Sequence, residues 1–258
     1  MKKLIIGLIL AITCIFFLFI FFQRQRNITQ FSSSEFVISP SPLPSPNAKA
    51  STVSWNDITY IYEWFEVPDS KKVSLLSNFT EKKSSLEIMN EQHCIAAINA
   101  GFYDTNNKPL GLFKNNTIST ASIQSALLNG YLTIAPIPLI SFEEPDRAVV
   151  ALQTGPMLIV DGKKIKLVIK NDEHARRMIA GINAKGALVF MTIFVPETKV
   201  QGPQLADLPD IIEQINKTLP NPLVSVINLD GGNASMFKDK DVYIPEVLPI
   251  GSLFCLQE

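Results

Sequence analysis

Short apolar runs separated by polar and glycine residues predict that most of the chain after residue 50 forms β-strands. Runs rich in aromatic and β-branched residues, bounded by turn-forming residues, are typical of strands. They occur at residues 58–67, 94–99, 147–153 and 157–160. The pair Asp161-Gly162 favours a tight hairpin turn, so we expect residues 163–169 to return as the next strand.

The middle of this region predicts a second hairpin and a buried strand. Residues 178–183 and 187–195 are both apolar and are joined through Lys185-Gly186, whereas the charged residues 170–176 before them predict a loop. A strongly apolar strand is expected at 223–229, where Asp230-Gly231-Gly232 interrupts it.

Helical periodicity is strong in one segment only. Leu205, Leu208, Ile211, Ile212 and Ile215 recur at three- and four-residue spacing, and Pro203 suits a first helical turn, which predicts a helix over 203–217. Residues 81–92 predict a shorter helix. Strands dominate and no internal repeat is present, so we predict one α+β domain at 51–258, with a mixed or antiparallel sheet and one or two packed helices.

The first 50 residues predict a membrane anchor and a spacer. Residues 4–22 carry no charge, and their length matches the ~20 residues that cross a bilayer as a helix. The run ends in Phe-Phe-Gln-Arg-Gln-Arg without a small-residue cleavage site, so we interpret residues 1–26 as an uncleaved signal anchor. Residues 27–50 contain six serines and alternating prolines, which favours an extended spacer. The prolines are Pro40, Pro42, Pro44 and Pro46.

The flanking charges leave the orientation of this anchor open. Lys2, Lys3 and the terminal amine lie on one side and Arg24 and Arg26 on the other, a difference too small to decide by the positive-inside rule. A domain facing the cytosol therefore stays an alternative. The Pro/Ser spacer favours a domain held off the membrane surface outside the cytoplasm.

Charge excludes one class of partner. The formal net charge is -1 for the whole chain. Residues 51–258 hold 18 basic and 23 acidic groups, a difference of -5. We therefore expect no nucleic-acid partner, since such proteins carry a basic excess. An anionic substrate would need a local cationic pocket.

Cysteine and histidine content limits redox and metal chemistry. Cys94 and Cys255 are the only cysteines after residue 50. Free thiols and a disulfide both fit them. We predict the Cys94–Cys255 disulfide, which requires a compartment outside the cytosol. With only His93 and His174, a histidine-rich metal site is excluded. We predict neither a metal nor a cofactor.

Polar and glycine residues meet the ends of predicted strands at four places. Such places let backbone approach a ligand and let polar side chains face a cleft. They are Asn99–Tyr103, Thr154–Pro156, Arg177 with Gly181, and Asp230–Gly232. Each alone is typical of an ordinary turn or strand flank.

Taken in order, these motifs resemble a known family. The series is Ile98-Asn99-Ala100-Gly101-Phe102-Tyr103, Pro109-Leu110-Gly111, Gln153-Thr154-Gly155-Pro156-Met157-Leu158 with Asp161-Gly162, Arg177 with Gly181, and Asn228-Leu229-Asp230-Gly231-Gly232. It is similar to the phosphodiester glycosidase family over about residues 80–240. The resemblance implies hydrolysis of a sugar-1-phosphodiester on envelope or extracellular glycoconjugates, N-acetylglucosamine-linked substrates included.

The chain departs from the family pattern at two motifs. Ala100 and Tyr103 stand where the family commonly has Gly and Phe. After Asp-Gly-Gly the family often has Gly and then Ser, but here Asn233 and Ala234 follow and Ser235 comes one place later. Asn233 is therefore expected to replace a hydroxyl contact, or the substrate differs.

The resemblance implies roles for the matching residues. Arg177 would bind the departing phosphate bidentately, and Asp230 would serve the oxocarbenium-like centre or the attacking water. Substrate contacts would come from Asn99, Gly101, Phe102, Gly155, Gly231, Gly232 and Asn233, in part through glycine N–H groups. Asp104 and Glu197 are candidates for a second carboxylate.

Two other functions stay open. A non-catalytic glycan-binding or envelope polysaccharide assembly protein would keep the same pocket without turnover, and the change at Asn233 and Ala234 motivates it. A peptidase or esterase has little support, because neither histidine lies in a nucleophile–base pattern.

Overall fold

The computed structural model describes residues 51–135 and 137–258. The predicted anchor at 4–22 and the spacer at 27–50 lie outside these residues. Within the described residues, no helix has the length and apolarity needed to span a bilayer.

The largest sheet has seven strands, and Arg177 is the first residue of one of them. Its order is β1 (Thr52–Trp55), β2 (Ile58–Glu66), β12 (Leu188–Phe194), β11 (Arg177–Asn183), β13 (Leu223–Asn228), β9 (Met157–Val160) and β10 (Lys163–Lys164). The predicted hairpin at 178–195 is present as β11 and β12. The predicted strand at 163–169 is wrong beyond Lys164, because only two residues pair with β9.

Two smaller sheets complete the strands. The five-stranded sheet has the order β15 (Tyr243–Ile244), β14 (Phe237–Lys238), β4 (Ala96–Asn99), β16 (Ser252–Leu256) and β3 (Val73–Ser77). The four-stranded sheet has the order β5 (Phe113–Lys114), β8 (Val150–Thr154), β6 (Gly130–Ala135) and β7 (Leu139–Ser141).

The strand pairing confirms part of the predicted fold class. Every strand pair among the described residues is antiparallel, which is one of the two predicted alternatives, and the strands form three sheets. With only two short α-helices in the described residues, the domain is mostly β. Local apolar patterns identify strands. Which strands pair with each other depends on residues far apart in the sequence, so the pairing cannot be predicted from one segment.

The two α-helices are short, as the sequence predicts. Helix α1 (Ser85–Gln92) begins later than residue 81, because the Ser84 hydroxyl accepts the Glu87 amide hydrogen and caps the helix there. Helix α2 (Leu208–Asn216) follows a 3-10 turn at Leu205–Asp207, so the predicted helix at 203–217 starts as a tighter turn.

The seven-stranded sheet is buried on both faces. On one face Ala180, Phe190 and Ile227 pack against the smaller sheets. On the other face Ile179 and Met191 pack against α2 through Ile211, Ile212 and Ile215. Burial on both faces explains why β11, β12 and β13 have continuous apolar sequences rather than alternating ones.

A disulfide joins Cys94 to Cys255 across 161 positions, with the two Cα atoms 5.3 Å apart. It ties Cys94, two residues before β4, to a fully buried position of β16, and these strands are neighbours in the five-stranded sheet. Of the two states that the sequence leaves open, the structure has the disulfide.

We predict that removing this disulfide destabilises the domain. In the chain-entropy description, closing so long a loop contributes up to about 5 kcal/mol, and measured losses are typically 2–5 kcal/mol. The double variant Cys94→Ala/Cys255→Ala should lose free energy of unfolding in this range, measured with urea. Reductant should shift the parent protein to the same midpoint and leave the variant unchanged. Equal midpoints for the oxidised parent and the variant would contradict the prediction.

Candidate active site

A cleft of about 420 Å³ lies where β11 begins and β13 ends. It is lined by Phe102, Ile169, Asn171, Asp172, Glu173, Ala175, Arg177, Leu205, Asn228, Asp230, Gly231, Gly232, Asn233, Ala234 and Leu248. Its volume is within the usual range for small-molecule sites. Arg177 and Asp230 both belong to this lining.

The register of β11 and β13 brings these two residues together. Ile179 is opposite Asn228, and the strands are antiparallel. Two residues further, position 177 on one strand is opposite position 230 on the other. The Leu229 amide donates to the Met178 carbonyl at 2.8 Å, which continues the pairing beyond Asn228. Residues 53 positions apart (230 − 177) therefore meet at one sheet edge.

Asp230 is a partly buried carboxylate without a cationic partner. Among the described residues no basic group lies within ion-pair distance of it. Burial raises the pKa of Asp230 to about 7, and a hydrogen bond from the Gly231 amide opposes the rise only in part. A carboxyl group with a pKa near 7 is suited to proton transfer at neutral pH.

Asn99 holds Asp230 in place rather than facing the cleft. Its side chain is 1% exposed. Its Nδ2 donates to the Asp230 carbonyl at 2.6 Å, and its Oδ1 accepts the Met236 amide at 3.0 Å. Both ends of the amide are therefore occupied by the protein, and a direct contact of Asn99 with sugar or phosphate is not what this arrangement provides.

Arg177 is fixed by the loops around the cleft. Its Nε donates to the Pro203 carbonyl at 2.8 Å, and its Nη2 contacts the Asp172 carboxylate at 3.4 Å and donates to the Glu173 carbonyl. Burial lowers the pKa of Arg177, with Asp172 and Glu173 opposing. Among the described residues, no hydrogen bond involves its Nη1. That nitrogen is available to a ligand.

Asp172 supports Arg177 and the start of the α2 region together. Its carboxylate accepts the Leu205 amide at 3.0 Å and the Ala206 amide at 2.8 Å. These are the first amides of the 3-10 turn, where anionic groups are favoured. Because its charge is shared among these donors, Asp172 only partly neutralises Arg177.

The glycine amides expected to bind the substrate have other partners. The Gly101 amide donates to Ser252 Oγ at 3.3 Å, and the Gly232 amide donates to the Arg176 carbonyl at 2.8 Å. The Gly231 amide is bonded to the Asp230 carboxylate. A Cβ on Gly231 would lie 2.5 Å from the Arg176 carbonyl oxygen, so glycine is needed here for close packing.

The structure separates the remaining predicted contacts into two groups. Phe102 and Asn233 line the cleft beside Gly231 and Gly232. Gly101 and Gly155 do not; Gly155 packs instead against the backbone of Leu127 and Asn129, where a Cβ would lie 2.2 Å from the Leu127 carbonyl oxygen.

Neither candidate for a second carboxylate lines the cleft. Asp104 accepts the amides of Asn106 and Lys108, both at 2.8 Å, and the Lys108 amide is the main cause that lowers its pKa. Glu197 is exposed on the turn after β12. The carboxylates that line the cleft besides Asp230 are Asp172 and Glu173, neither of which the sequence motifs identified.

Arg176 is a residue that supports the site and that the sequence analysis missed. Its guanidinium is buried and donates to Ser235 Oγ at 2.8 Å, to the Lys199 carbonyl at 2.9 Å and to the Pro245 carbonyl at 3.2 Å. It also donates to the Ser235 carbonyl. Burial lowers the pKa of Arg176 to about 10, and the Glu246 carboxylate opposes this. Arg176 thus fixes the segment after Asp230.

Asn228 was also missed, although the motif containing it was noted. Its Nδ2 donates to the Gly155 carbonyl at 2.9 Å, while its Oδ1 is buried and has no hydrogen-bond partner. Asn228 lines the cleft. A buried acceptor without a donor is unfavourable, so Asn228 has an unsatisfied polar atom in the wall of the cleft.

Metal ligation has no support in the part of the chain that the structure describes. No group of three or more His, Cys, Asp or Glu residues in that part could hold a metal ion.

Comparison with known proteins identifies the family. A sequence model of the phosphodiester glycosidases matches residues 92–245, more than half of the 258 residues. The chain belongs to the phosphodiester glycosidase family. A search of curated proteins found no match.

Two solved structures share the fold. One is the catalytic domain of zebrafish N-acetylglucosamine-1-phosphodiester alpha-N-acetylglucosaminidase, auto-inhibited by its pro-peptide, with 18% identity, a TM-score of 0.61 and 85% of each chain covered. The other is a hypothetical protein from Synechocystis, with 13% identity, a TM-score of 0.58, and 80% of this chain and 61% of that chain covered.

The departures from the phosphodiester glycosidase pattern have structural explanations. The Tyr103 hydroxyl donates to the Pro249 carbonyl at 2.6 Å. The Ser235 hydroxyl is buried between Arg176 and the Gly232 carbonyl, at 2.8 and 2.6 Å. Ser235 therefore does not line the cleft and instead bonds to buried groups beside it, whereas Asn233 lines the cleft and is exposed.

We predict that Arg176→Met lowers the free energy of unfolding by roughly 3–5 kcal/mol, because several buried carbonyls lose their donor. Arg176→Lys should lose less, since an ammonium retains some of these bonds. Urea unfolding measures both. The control is Arg147→Met, at an exposed arginine, which should change stability by less than about 0.5 kcal/mol. Equal effects at Arg176 and Arg147 would contradict the assigned role.

Proposed function

We propose that this protein hydrolyses a sugar-1-phosphodiester to a free sugar and a phosphomonoester. The observation that carries the proposal is the convergence of Arg177 and Asp230 on one cleft in a chain of this family. The fold similarity to the zebrafish glycosidase supports the same reaction class.

The reaction places different demands on the two residues. The bond between sugar C1 and the phosphate oxygen breaks, and the electron pair leaves with the phosphate. Phosphate is a weakly basic leaving group, so the general acid of ordinary glycosidases matters less. Arg177 binds the phosphate oxygens and stabilises the charge that builds as the bond breaks.

Asp230 acts on the attacking water. Its carboxylate accepts a proton from the water as the water oxygen bonds to C1, which completes the hydrolysis without a further reactant. A base with a pKa near 7 is deprotonated in about half of the molecules at pH 7 and can release the proton after each turnover. Asn99 fixes the backbone that carries this carboxylate.

The sugar that we propose first is N-acetylglucosamine. The zebrafish protein with the same fold is named for action on an N-acetylglucosamine 1-phosphodiester. The substrate is proposed to be an envelope or extracellular glycoconjugate.

A second candidate is a glycan-binding or envelope assembly protein that does not catalyse hydrolysis. The engaged amides of Gly101, Gly231 and Gly232 favour it, because they leave fewer donors for an anion. Saturable glycan binding that persists in Asp230→Asn, without hydrolysis by the parent, would establish it.

We predict that the full-length protein releases sugar from at least one member of a panel of sugar-1-phosphodiesters that includes N-acetylglucosamine conjugates. Released reducing sugar is the measurement. The matched control is Asp230→Asn on the same panel. No release from any diester would overturn the proposed hydrolysis.

Substitutions at the two central residues should separate catalysis from stability. Arg177→Ala should lower kcat/KM by on the order of 10²–10³. Arg177→Lys should have a kcat/KM between those of Arg177→Ala and the parent, because an ammonium lacks the planar pair of donors. Asp230→Asn should abolish turnover. It should also raise Tm above pH 7, because the protonated carboxyl is favoured in the folded state and the charged form costs stability as pH rises.

The parent kcat/KM should rise as pH increases through about 7, where Asp230 loses its proton.

The control for the Arg177 substitutions is Asp172→Asn, since it removes the ion-pair partner of Arg177 and keeps the cation. Activity losses that only follow losses in Tm would show that Arg177 and Asp230 are structural residues.

We further propose that the domain lies outside the cytoplasm, anchored through residues 4–22. The apolar run and the Cys94–Cys255 disulfide support this, since disulfides persist in oxidising compartments. Protease added to intact spheroplasts should digest the domain. Digestion only after lysis would reverse the orientation.

A further inference from the structure

Apolar side chains from four separate segments line the cleft beside its polar residues. They are Phe102, Ile169, Leu205 and Leu248. Leu248 is 52% exposed, and the residues before Ile169 and Leu248 are exposed as well: Val168 is 86% exposed and Val247 62%. Single exposed apolar residues are common, but apolar residues gathered around one cleft indicate a binding surface.

The segment that carries Leu248 is held against the cleft. The Val247 and Leu248 amides donate to the Asn233 carbonyl at 2.9 and 3.0 Å. Asn233 itself follows the glycines after Asp230 and lines the cleft. Leu248 is therefore fixed relative to the catalytic carboxylate, and its exposure is a property of the site rather than of a free loop.

The charges of the cleft disfavour a second anion. Asp172, Glu173 and Asp230 line it against the single cation of Arg177, which already pairs with Asp172. One phosphodiester charge can bind at Arg177. A further negative group on the same substrate would face carboxylates and lose binding energy.

We propose that the aglycone of the substrate, the alcohol esterified to the phosphate, is uncharged and apolar where it contacts Ile169 and Leu248. This inference rests on the proposed function. The sugar and phosphate occupy the polar part of the cleft at Asp230 and Arg177, and the aglycone extends over the apolar residues. Burial of its methylene groups there would stabilise the bound substrate.

The test compares N-acetylglucosamine 1-phosphodiesters that have methyl, butyl, hexyl and mannosyl aglycones, using the full-length protein. The expected result is that kcat/KM rises on the order of twofold to fourfold per methylene from methyl to hexyl. The mannosyl diester should fall below the hexyl diester. Leu248→Ser and Ile169→Ser should each lower the ratio of hexyl to methyl kcat/KM toward one, because each removes part of the apolar surface that the chain would contact.

The control is Leu86→Ser, at a leucine on α1 that is 46% exposed and does not line the cleft. It should leave the dependence on chain length intact. Equal kcat/KM for the methyl, hexyl and mannosyl diesters would overturn the inference and leave the proposed hydrolysis standing. If no diester is hydrolysed, the proposed function fails, and calorimetric Kd values decide the inference. Tighter binding of the hexyl than of the methyl diester would support it, and equal Kd values would overturn it.

Discussion

The pairing of β11 with β13 is the constraint on which the candidate site depends. Both strands are buried on two faces, so their register is fixed by packing as well as by backbone hydrogen bonds. A shift by one residue would exchange the faces of every side chain in the strand. The packing that stabilises the sheet therefore also sets the positions of Arg177 and Asp230. No bond between the two side chains is needed to bring them to the same cleft.

Buried polar side chains then fix the backbone on either side of Asp230, which the strand register places at the cleft. Asn99 fixes the backbone of Asp230 from the five-stranded sheet. Arg176 fixes the following segment by donating to carbonyls and one hydroxyl rather than to a carboxylate. A buried cation such as the Arg176 guanidinium needs several neutral acceptors around it. Because these acceptors come from separate segments, they surround the guanidinium only when the backbone has this one conformation. The Asp230 carboxylate is thus surrounded by fixed structure, and no basic group among the described residues pairs with it.

Local patterns in the sequence predict the strands well and their arrangement poorly. The runs at 157–160 and 223–229 and the hairpin at 178–195 lie close to β9, β13 and β11–β12. The three-sheet architecture is not predictable in this way, because β16 inserts between β3 and β4 although both precede it by more than 150 positions. At the site, Arg177 and Asp230 are recognisable only from the ordered series of motifs, because a polar residue beside an apolar strand is by itself typical of an ordinary flank. Asn99 and Arg176 could not be assigned, since a polar residue at a strand end can turn toward solvent or toward the interior, and only the fold decides.

The position of β16 has a consequence for synthesis of the chain. β3 and β4 do not pair with each other; β16 is hydrogen-bonded to both and also carries Cys255. Until residues 252–256 emerge from the ribosome, β3 and one edge of β4 keep unpaired backbone groups, which are prone to wrong associations. Vectorial folding from the amino terminus therefore cannot complete this sheet before the last residues of the domain are synthesised.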